Sequence, residues 1–563
     1  MKKRDRIIFL FLAFFFIWQV KAEETQPPTI AGVSQTEAMR LGERIYRQGI
    51  LSSGEKMKAF VKGDIPVEGK TFACVSCHLR SGLGSIEGGV VTTPINGKTL
   101  FQPLKRFYKG YEVISAPLLR PAYTDESLAE VIEGGISPSG RILNGVMPRY
   151  NLNEKDMEIL IFYLKNLSSE FSPGVSDTTI HFATVVSEDV PTKDRDAMMG
   201  LLDYYVKAKN NSALASESDR RQARMTESML GSQESMYKRL SLSVWVLKGP
   251  PETWRRQLEE YNSKDPVFAL IGGITSGEWQ PIHDFCESNK IPCIFPVTDF
   301  PVVSETDWYT LYLSKGYYQE GEAAARYLNS NYESLDESLK GKTVVQIVSS
   351  SREGAALASG FEQTWRDFEH QPPVTVMLKK GEALSKKLLQ QVLDKEKPAS
   401  IVLWVGPEAL PALEGLASGS NKPEMILVSS GYLKESIWTL NEDIRDITYI
   451  AYPFILPQDE AKSKVYVPLL REPKFNDSNS QMILKRVFPV LLALSQSMME
   501  MRGNYYRDNF LDVISMMMDQ KVRLYERLSF GPGQRYASKG CYIVQLTKGP
   551  TLELVKKSDW VIH

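Results

Sequence analysis

The chain has 563 residues, so at about 150 residues per domain we expect two or more domains. Its hydrophobic share of 43%, charged share of 24% and mean hydropathy of −0.24 are typical of a soluble globular protein. The net charge of −1 excludes a polybasic nucleic-acid-coating protein and an acidic disordered tail, and the presence of only five cysteines and five histidines excludes a disulfide-dense scaffold or a multi-zinc array.

The N-terminus predicts a secretory signal peptide over residues 1–22. A basic start, Met1–Arg6, precedes the largely apolar run Ile7–Val20, and the small residue Ala22 closes the segment. The alternative is an uncleaved membrane anchor, but 14 helical residues rise only about 21 Å, short of a bilayer core of about 30 Å. No cysteine lies at the cleavage point, so a lipoprotein anchor is not indicated. We therefore expect an exported, periplasmic protein with no membrane span in the mature chain.

Residues 35–170 predict short helices separated by long loops. The helices are expected at Gln35–Arg47, at Asp125–Glu133 after the N-cap Thr124, and from Glu154 to Leu167 after the N-cap Asn153. A small all-helical domain with so much irregular loop buries little apolar surface by itself. The small buried apolar surface favours a prosthetic group at the centre of the domain. The stretch 168–174, rich in Ser, Pro and Gly, is the clearest linker.

The motif C-x-x-C-H occurs at Cys74, Cys77 and His78. Its spacing brings two thiols to the two vinyl groups of one porphyrin and the following imidazole to the iron, so it predicts one covalent haem c per chain. A thioredoxin-like pair needs a βαβ context, and the residues around Cys74 are loop-like. A zinc site needs further ligands, and no other histidine occurs before His181. We interpret the glycine-rich stretch 82–88 as a loop beside the haem.

Met147, followed by Pro148, is the candidate sixth ligand of the iron. The alternative is that Met147 only packs in the core. The pattern Gly42-x-x-Ile45-Tyr46, then C-x-x-C-H, then Met-Pro before a Leu-rich helix resembles class I cytochromes c over residues 35–170. This resemblance implies an all-α fold and one-electron transfer. One departure is the 27 residues between Tyr46 and Cys74, which could shield the haem edge or form a docking surface.

Residues 176–563 alternate apolar strands with amphipathic helices, which predicts a doubly wound α/β architecture with two lobes. Several strands are continuous apolar runs, as expected for parallel strands covered on both faces. The candidate strands are Ile180–Val186, Leu242–Leu247, Val267–Ile271, Cys293–Pro296, Thr343–Val348, Ile401–Val405 and Met425–Val428.

The order of four stretches resembles type I periplasmic solute-binding proteins of the branched-chain amino acid receptor kind. The stretches are Ile180–Ser187, Phe268–Ser276, Gly341–Val348 and Phe530–Tyr536. The resemblance implies a ligand between two lobes, on loops at the carboxyl ends of strands. Carried over by motif, the contacts would be Thr275, Ser276, Val297 and Thr298 from the first lobe and Tyr317, Ser351, Gly406 and Tyr432 from the second. The alternative is that these are loop-capping residues of a cleft that has lost its ligand. The motifs assign no acidic partner to a ligand ammonium.

Two cysteines, Cys286 and Cys293, lie seven positions apart from a helix end to a strand start, and either a disulfide or two buried thiols is consistent with this spacing. We interpret Cys541 as a packed strand residue.

Two functional hypotheses follow. The first is an exported mono-haem electron-transfer protein whose binding-protein-like domain senses a small polar solute or docks a redox partner, such as a periplasmic dehydrogenase or another cytochrome. The second is a solute receptor, for example for an ABC-type importer, in which haem is a regulatory or structural appendage. A redox enzyme lacks any catalytic constellation in this sequence, so we expect no enzymatic activity.

Overall fold

The computed structural model of the chain describes residues 28–62, 65–87, 90–104, 107–108, 111–112, 120–212, 238–332, 343–419, 421–462, 467–531, 533–549 and 551–562. The signal peptide predicted for residues 1–22 lies outside them. The chain divides into two compact units. Of the described residues, the smaller unit contains those up to Cys77 together with Ala122–Leu167, and the larger unit contains those from His78 to Pro121 and from Ser168 onward.

The α-helices are α1 (Gln35–Gln48), α2 (Val75–His78), α3 (Gly97–Leu100), α4 (Asp125–Glu133), α5 (Glu154–Asn166), α6 (Thr192–Ser212), α7 (Trp254–Lys264), α8 (Gln280–Asn289), α9 (Tyr317–Tyr332), α10 (Arg352–Asp367), α11 (Lys386–Glu396), α12 (Ser430–Leu433), α13 (Pro457–Glu460), α14 (Ser478–Glu500) and α15 (Arg507–Ser515). Short 3₁₀ helices span Pro251–Thr253, Pro407–Leu413, Leu416–Ser418, Lys434–Thr439, Glu442–Ile444, Pro468–Arg471 and Pro473–Phe475.

The strands are β1 (Thr29–Ile30), β2 (Val33–Ser34), β3 (Lys58–Val61), β4 (Ile65–Glu68), β5 (Ile86–Glu87), β6 (Val90–Val91), β7 (Phe107–Tyr108), β8 (Tyr111–Glu112), β9 (Arg149–Asn151), β10 (Thr179–Ser187), β11 (Arg239–Leu247), β12 (Ala269–Ile271), β13 (Cys293–Ile294), β14 (Thr310–Leu311), β15 (Val344–Val348), β16 (Val374–Met377), β17 (Ser400–Trp404), β18 (Met425–Ser429), β19 (Thr448–Tyr452), β20 (Gly540–Leu546), β21 (Leu554–Lys556) and β22 (Val561–Ile562).

The smaller unit contains the three helices that the sequence predicts. The hydroxyl of Thr124 accepts a hydrogen bond from Ser127 N at the start of α4, and the side chain of Asn153 accepts one from Asp156 N at the start of α5. Helix α1 packs on α5 so closely that a Cβ added at Gly42 would lie 2.4 Å from Tyr163 Cβ. The apolar faces of these helices therefore form the core of this unit.

The smaller unit is not purely helical, in contrast to the all-α expectation. Strands β4, β3 and β9 form a three-stranded antiparallel sheet. Two of these strands come from the long insertion between Tyr46 and Cys74, and β9 follows the Met147 loop directly. The alternation of polar and apolar residues in strands this short is too brief for sequence reasoning to detect.

The larger unit has two lobes, each built on a mostly parallel sheet, so the α/β architecture with parallel sheets is confirmed. The first-lobe sheet has the order β11-β10-β12-β13-β14 and is parallel throughout. The second-lobe sheet has the order β16-β15-β17-β18-β19-β20-β21, in which the last two pairings are antiparallel and β22 also pairs with β20. Both faces of each sheet are covered, which explains the continuous apolar runs of the parallel strands.

In the described residues the chain passes between the lobes after β14, after β19 and before β20. Helix α14 returns to the first lobe, because Leu484, Val487 and Val490 lie in one core with Phe182 of β10. Among the described residues α14 alone is long and apolar enough to cross a membrane, judged by length and composition. A core helix of a soluble protein passes the same test, and half of the apolar window of α14 is buried.

The residues just after His78 pack against the first lobe of the larger unit. Ser81 N donates to Asp512 Oδ2 of α15 at 2.8 Å, and the Arg80 guanidinium lies 4.3 Å from the Trp308 ring centre. Ser168 Oγ donates to Ser81 O at 2.8 Å. The division into domains at 35–170 and 176–563 stays a prediction about which parts fold on their own.

Candidate functional site

A cleft of about 820 Å³ lies between the two lobes of the larger unit. Its first-lobe wall is formed by residues 274–277 after β12 and 297–300 after β13. Its second-lobe wall includes the first turn of α9 and the corner between β18 and α12. These segments follow the carboxyl ends of parallel strands, where open α/β sheets bind ligands.

Five of the predicted solute contacts line this cleft, namely Thr275, Ser276, Val297, Thr298 and Tyr317. Thr275 Oγ1 donates to Glu278 O at 2.8 Å, and Ser276 Oγ donates to the Asp189 carboxylate. The side chain of Thr298 accepts a hydrogen bond from Phe300 N at 3.1 Å. Several of these hydroxyls therefore also stabilise the loops that carry them, and their contact with a solute stays a prediction.

The other three predicted contacts lie outside the cleft wall of the described residues. Ser351 is the N-cap of α10, and its hydroxyl lies 2.7 Å from the Tyr432 hydroxyl and 2.8 Å from the Ser349 hydroxyl. Gly406 precedes a 3₁₀ helix, and a Cβ added there would lie 2.4 Å from Glu408 Oε2. These positions have local roles in capping and packing.

The first-lobe wall carries an ion pair. Arg486 Nη2 of α14 lies 2.6 Å from Asp299 Oδ1, and both residues line the cleft. Burial opposes the charge of the guanidinium, but the ion pair with Asp299 outweighs burial and raises the pKa of Arg486. The positive charge on this wall is therefore already neutralised.

The second-lobe wall carries a buried acid. Glu320, in the first turn of α9, is 3% exposed and lines the cleft. Its Oε2 accepts hydrogen bonds from Ser429 Oγ at 2.8 Å and from Gly431 N at 3.2 Å. Burial raises the pKa of Glu320 to about 7, although these hydrogen bonds act in the opposite direction. The carboxyl group therefore titrates near neutral pH.

An ion pair joins the two lobes beside the cleft. Arg352 Nη1 of α10 lies 3.0 Å from Glu278 Oε1, and Arg352 Nη2 donates to Glu278 Oε2 at 3.2 Å. The same guanidinium lies 4.2 Å from the ring centre of Phe300, which lines the cleft. This two-point contact holds the first-lobe and second-lobe walls together in the conformation described here.

Aromatic and aliphatic side chains complete the cleft wall. The Phe300 and Tyr317 rings lie 5.2 Å apart and extend the apolar surface across the two lobes. The other members include Val190, Ile274, Ile437, Trp438, Tyr452, Phe454, Met482 and Ile483. The cleft thus combines a mostly apolar wall with a few fixed polar groups, the usual composition of a small-molecule site.

The C-x-x-C-H segment forms α2 and the residues next to it. His78 is buried, and its Nδ1 lies 3.0 Å from Thr93 O. A carbonyl oxygen only accepts, so Nδ1 carries the proton and the lone pair of the imidazole is on Nε2. Burial lowers the pKa of His78 to about 4, which keeps the ring neutral. A neutral histidine whose Nε2 carries the lone pair and has no hydrogen-bond partner among the described residues fits the proximal ligand of a haem iron.

The loop after His78 is folded so that Thr93 O reaches the imidazole. Gly84 N donates to His78 O at 3.1 Å, and Ile95 N donates to Gly82 O at 2.7 Å. Gly84 has φ +76°, and a Cβ added there would lie 2.1 Å from Thr92 O. The backbone conformation and the close packing therefore require a glycine at one or more positions of the predicted glycine-rich loop.

The Met147 loop of the smaller unit is held on several sides. Arg149 donates from Nη1 to Met147 O at 2.6 Å and from Nη2 to Leu143 O at 3.0 Å. Lys62 N donates to Gly145 O at 2.8 Å, which ties the loop to the end of β3. Met147 is half-buried, and its role as an iron ligand stays a prediction.

The remaining cysteines are buried and free. Cys286 at the end of α8 and Cys293 in β13 are not joined, and burial together with the neighbouring Cys293 thiol raises the pKa of Cys286 well above its usual value. Cys541 lies in β20, as expected.

Sequence reasoning missed the charged groups of the cleft. Glu320 lies one helical turn after Tyr317, a spacing that places both on one helix face, and this signal was available. Arg486 is one of few charges in the otherwise apolar α14, which also marks it as unusual. Asp299 has no such signal, because it lies in an irregular loop between two short strands.

No protein-family model matches the chain, and no curated protein matches it. Solved structures do resemble it, and they include solute-binding proteins of ABC transporters. A putative branched-chain amino acid ABC transporter protein from Rhodospirillum rubrum is 12% identical, with a TM-score of 0.46 and coverage of 69% of this chain and 99% of that chain. A branched-chain amino acid ABC transporter protein from Thermus thermophilus with bound valine is 13% identical, with a TM-score of 0.44 and coverage of 69% and 98%.

A solute-binding protein from R. palustris in complex with benzoate is 10% identical, with a TM-score of 0.42 and coverage of 68% of this chain and 98% of that chain. Identities and TM-scores this low do not assign the chain to a family.

Proposed function

We propose that this chain is an exported receptor whose larger unit binds a small polar solute in the cleft between its lobes. The observation that carries the proposal is the cleft itself, with a volume of about 820 Å³ and walls at the carboxyl ends of strands in both lobes. Delivery of the solute to an ABC-type importer is the role that this proposal favours.

The composition of the wall limits the solute to a small molecule with an apolar body and at least one polar group. Aromatic and aliphatic side chains provide most of the contact surface, whereas Thr298, Glu320 and the Arg486–Asp299 pair provide fixed polar groups. A purely apolar solute would displace water from these groups without offering them a hydrogen bond in exchange, which is unfavourable.

Thermal unfolding of the full chain against a library of amino acids, amines, sugars and carboxylates tests this proposal. At least one solute is expected to raise the unfolding temperature in a concentration-dependent manner. Thr298→Trp places a large side chain in the cleft and is expected to abolish that shift. Thr551→Trp, at an exposed position, is the matched control and is expected to retain it. A library without a single hit would contradict the proposal.

We further propose that the C-x-x-C-H segment binds haem c, and the tautomer of His78 favours this second role. Cys74 and Cys77 would hold the porphyrin covalently, and His78 and Met147 would bind its iron. When bound, haem supplies one-electron transfer between Fe(II) and Fe(III). A redox partner such as a periplasmic dehydrogenase or another cytochrome would then be required.

The pyridine haemochrome spectrum of the denatured chain, produced in cells with haem-attachment machinery, tests covalent attachment. A c-type spectrum is expected from the wild type and from Ser76→Ala, and none from the double variant Cys74→Ser, Cys77→Ser. A wild-type chain without haem would contradict this second proposal. Ligation by Met147 predicts a far-red sulfur-to-iron band that Met147→Ala loses, and its absence from the wild type would contradict that assignment.

A further inference from the structure

The carboxyl group of Glu320 is held in one position by the second lobe. Ser429 and Ser430 Oγ and Gly431 N, all at the corner between β18 and α12, donate to its Oε2 at 2.8, 3.4 and 3.2 Å. The carboxyl also packs directly against Gly431, because a Cβ added at Gly431 would lie 2.4 Å from Glu320 Oε1. The acid is therefore preorganised in the cleft wall.

Glu320 has no cationic partner among the described residues. The ion pairs of the cleft use other acids, since Arg486 pairs with Asp299 and Arg352 pairs with Glu278. Of the other acids in the wall, Asp194 accepts a hydrogen bond from Asn479 at 2.7 Å and Glu435 is exposed to water. A buried carboxylate without a countercharge is unfavourable, so a ligand that supplies the countercharge gains that free energy on binding.

We propose that Glu320 selects solutes that carry a protonated nitrogen, and that the cleft discriminates against carboxylates that lack one. The inference rests on the proposed solute-binding function and names the ligand class. A cation beside Glu320 completes a buried ion pair, whereas an anion would place a second negative charge in the same wall. Arg486 does not offset this repulsion, because an incoming carboxylate would have to compete with Asp299, and Lys434, the other cation of the wall, is exposed to water.

The titration of Glu320 supports the inference. Burial raises the pKa of this carboxyl to about 7, and the negative charge of Asp299 acts in the same direction. The charge of Glu320 also acts on the titratable groups of Tyr317, Tyr452 and Cys541. Burial raises the pKa values of all three, so they are neutral near pH 7. An amine that binds below about pH 7 must therefore displace a proton from Glu320, and its affinity should fall as the pH decreases.

Isothermal titration of the full chain with two shape-matched pairs tests the inference, namely 3-methylbutylamine against 3-methylbutanoate and benzylamine against benzoate. We expect at least one amine to bind about tenfold or more tightly than its carboxylate. Glu320→Gln, which keeps the shape and the acceptor oxygen, is expected to abolish the preference. Glu424→Gln, at an exposed acid of the second lobe outside the cleft wall, is the matched control and is expected to retain it.

Proton release gives an independent readout that a structural role of Glu320 would not change. Titrations near pH 6 in two buffers of different ionisation enthalpy are expected to show the release of up to one proton per bound amine in the wild type and none in Glu320→Gln. Carboxylates that bind as tightly as amines, or an amine preference that survives Glu320→Gln, would overturn the inference about Glu320 but not the solute-binding proposal. If none of the four probes binds while another solute of the library does, only the inference about Glu320 is overturned. If no solute of the library binds, the solute-binding proposal is overturned too.

Discussion

The interlobe cleft and the C-x-x-C-H segment differ in how the chain encodes them. The residues of the segment lie within five consecutive positions, and the partner of His78, Thr93, is only 15 positions further on. The cleft is assembled from stretches near residues 190, 275, 298, 317, 430 and 486. The chemistry of a contiguous motif can be recognised from the sequence alone. The chemistry of an assembled site can be recognised only after the fold has brought its residues together.

Because the two sites are encoded differently, we expect a substitution in the helix packing of the second lobe and a substitution in the loop after His78 to affect different sites. Helices α9 and α10 cross so closely that a Cβ added at Gly360 would lie 2.1 Å from Tyr318 O. Gly360→Leu is expected to destabilise the second lobe by about 3 kcal/mol or more and to abolish solute binding, because α9 carries Tyr317 and Glu320. Denaturant unfolding measures this effect.

Ala355→Leu, on the exposed face of the same helix α10, is the matched control and should be close to neutral. The C-x-x-C-H segment of Gly360→Leu should still accept haem. A Gly360→Leu variant as stable as Ala355→Leu would show that the helix crossing does not position the cleft.

The complementary change is Gly84→Ala in the loop after His78. Strain at φ +76° and the contact with Thr92 O are expected to destabilise the loop by about 2 kcal/mol. Hydrogen exchange should show lost protection of the amides of Gly84 and Ile95, with solute binding unchanged. Gly54→Ala has a similar strain, with φ +92°, but no atom within 4 Å, and should have a smaller effect. Unchanged protection in Gly84→Ala would contradict the account of this loop.

A third prediction concerns Glu320 and the stability of the cleft wall. Its pKa rises from 4.5 to about 7 in the folded chain, so the folded state binds the proton more tightly than the unfolded state. Protonation of Glu320 therefore stabilises the folded state at low pH, and this stabilisation is lost as the pH rises from about 4.5 to about 7. Glu320→Gln should unfold with the wild type near pH 4 and about 2–4 °C above it near pH 8. A difference that does not vary with pH would contradict the shifted pKa.

The smallest expected effect concerns the ion pair that joins the lobes. Arg352→Glu should favour an open conformation by about 1 kcal/mol, because it removes the contacts with Glu278 and Phe300. Small-angle X-ray scattering should then show a larger radius of gyration. The charge-swapped double variant Arg352→Glu, Glu278→Arg should restore the wild-type value in low salt, and failure to do so would argue against a direct contact.

Much of the fold could be predicted from the sequence, and the reason is its regular patterning. The strands at Val344–Val348 and Ser400–Trp404 are fully buried, and Thr179–Ser187 is buried from Phe182 onward; each was expected within one or two residues. Strand β16 was not expected, because its residues alternate between half-buried and exposed and follow a polar turn. The three-stranded sheet of the smaller unit was missed for a related reason, since its strands are only three or four residues long.

The candidate site was predictable only in part. The loops after β12 and β13 follow recognisable strands, so Thr275 and Val297 could be placed near the carboxyl edge of a sheet. Ser351 and Tyr432 also follow strands, but their hydroxyls bond to each other rather than face the cleft. The contribution of Arg486 could not be predicted, because it depends on the return of α14 to the first lobe, a long-range feature that no local pattern encodes.

The most direct test of the central claim, that one chain carries a covalent haem and a separate solute site, is mass spectrometry of the full chain after incubation with the solute library. We expect a haem mass increment that survives denaturation and a solute increment that appears only under native conditions. Thr298→Trp should lose the solute increment alone, and the double variant Cys74→Ser, Cys77→Ser the haem increment alone. A wild-type chain that shows its bare sequence mass under both conditions would contradict the account.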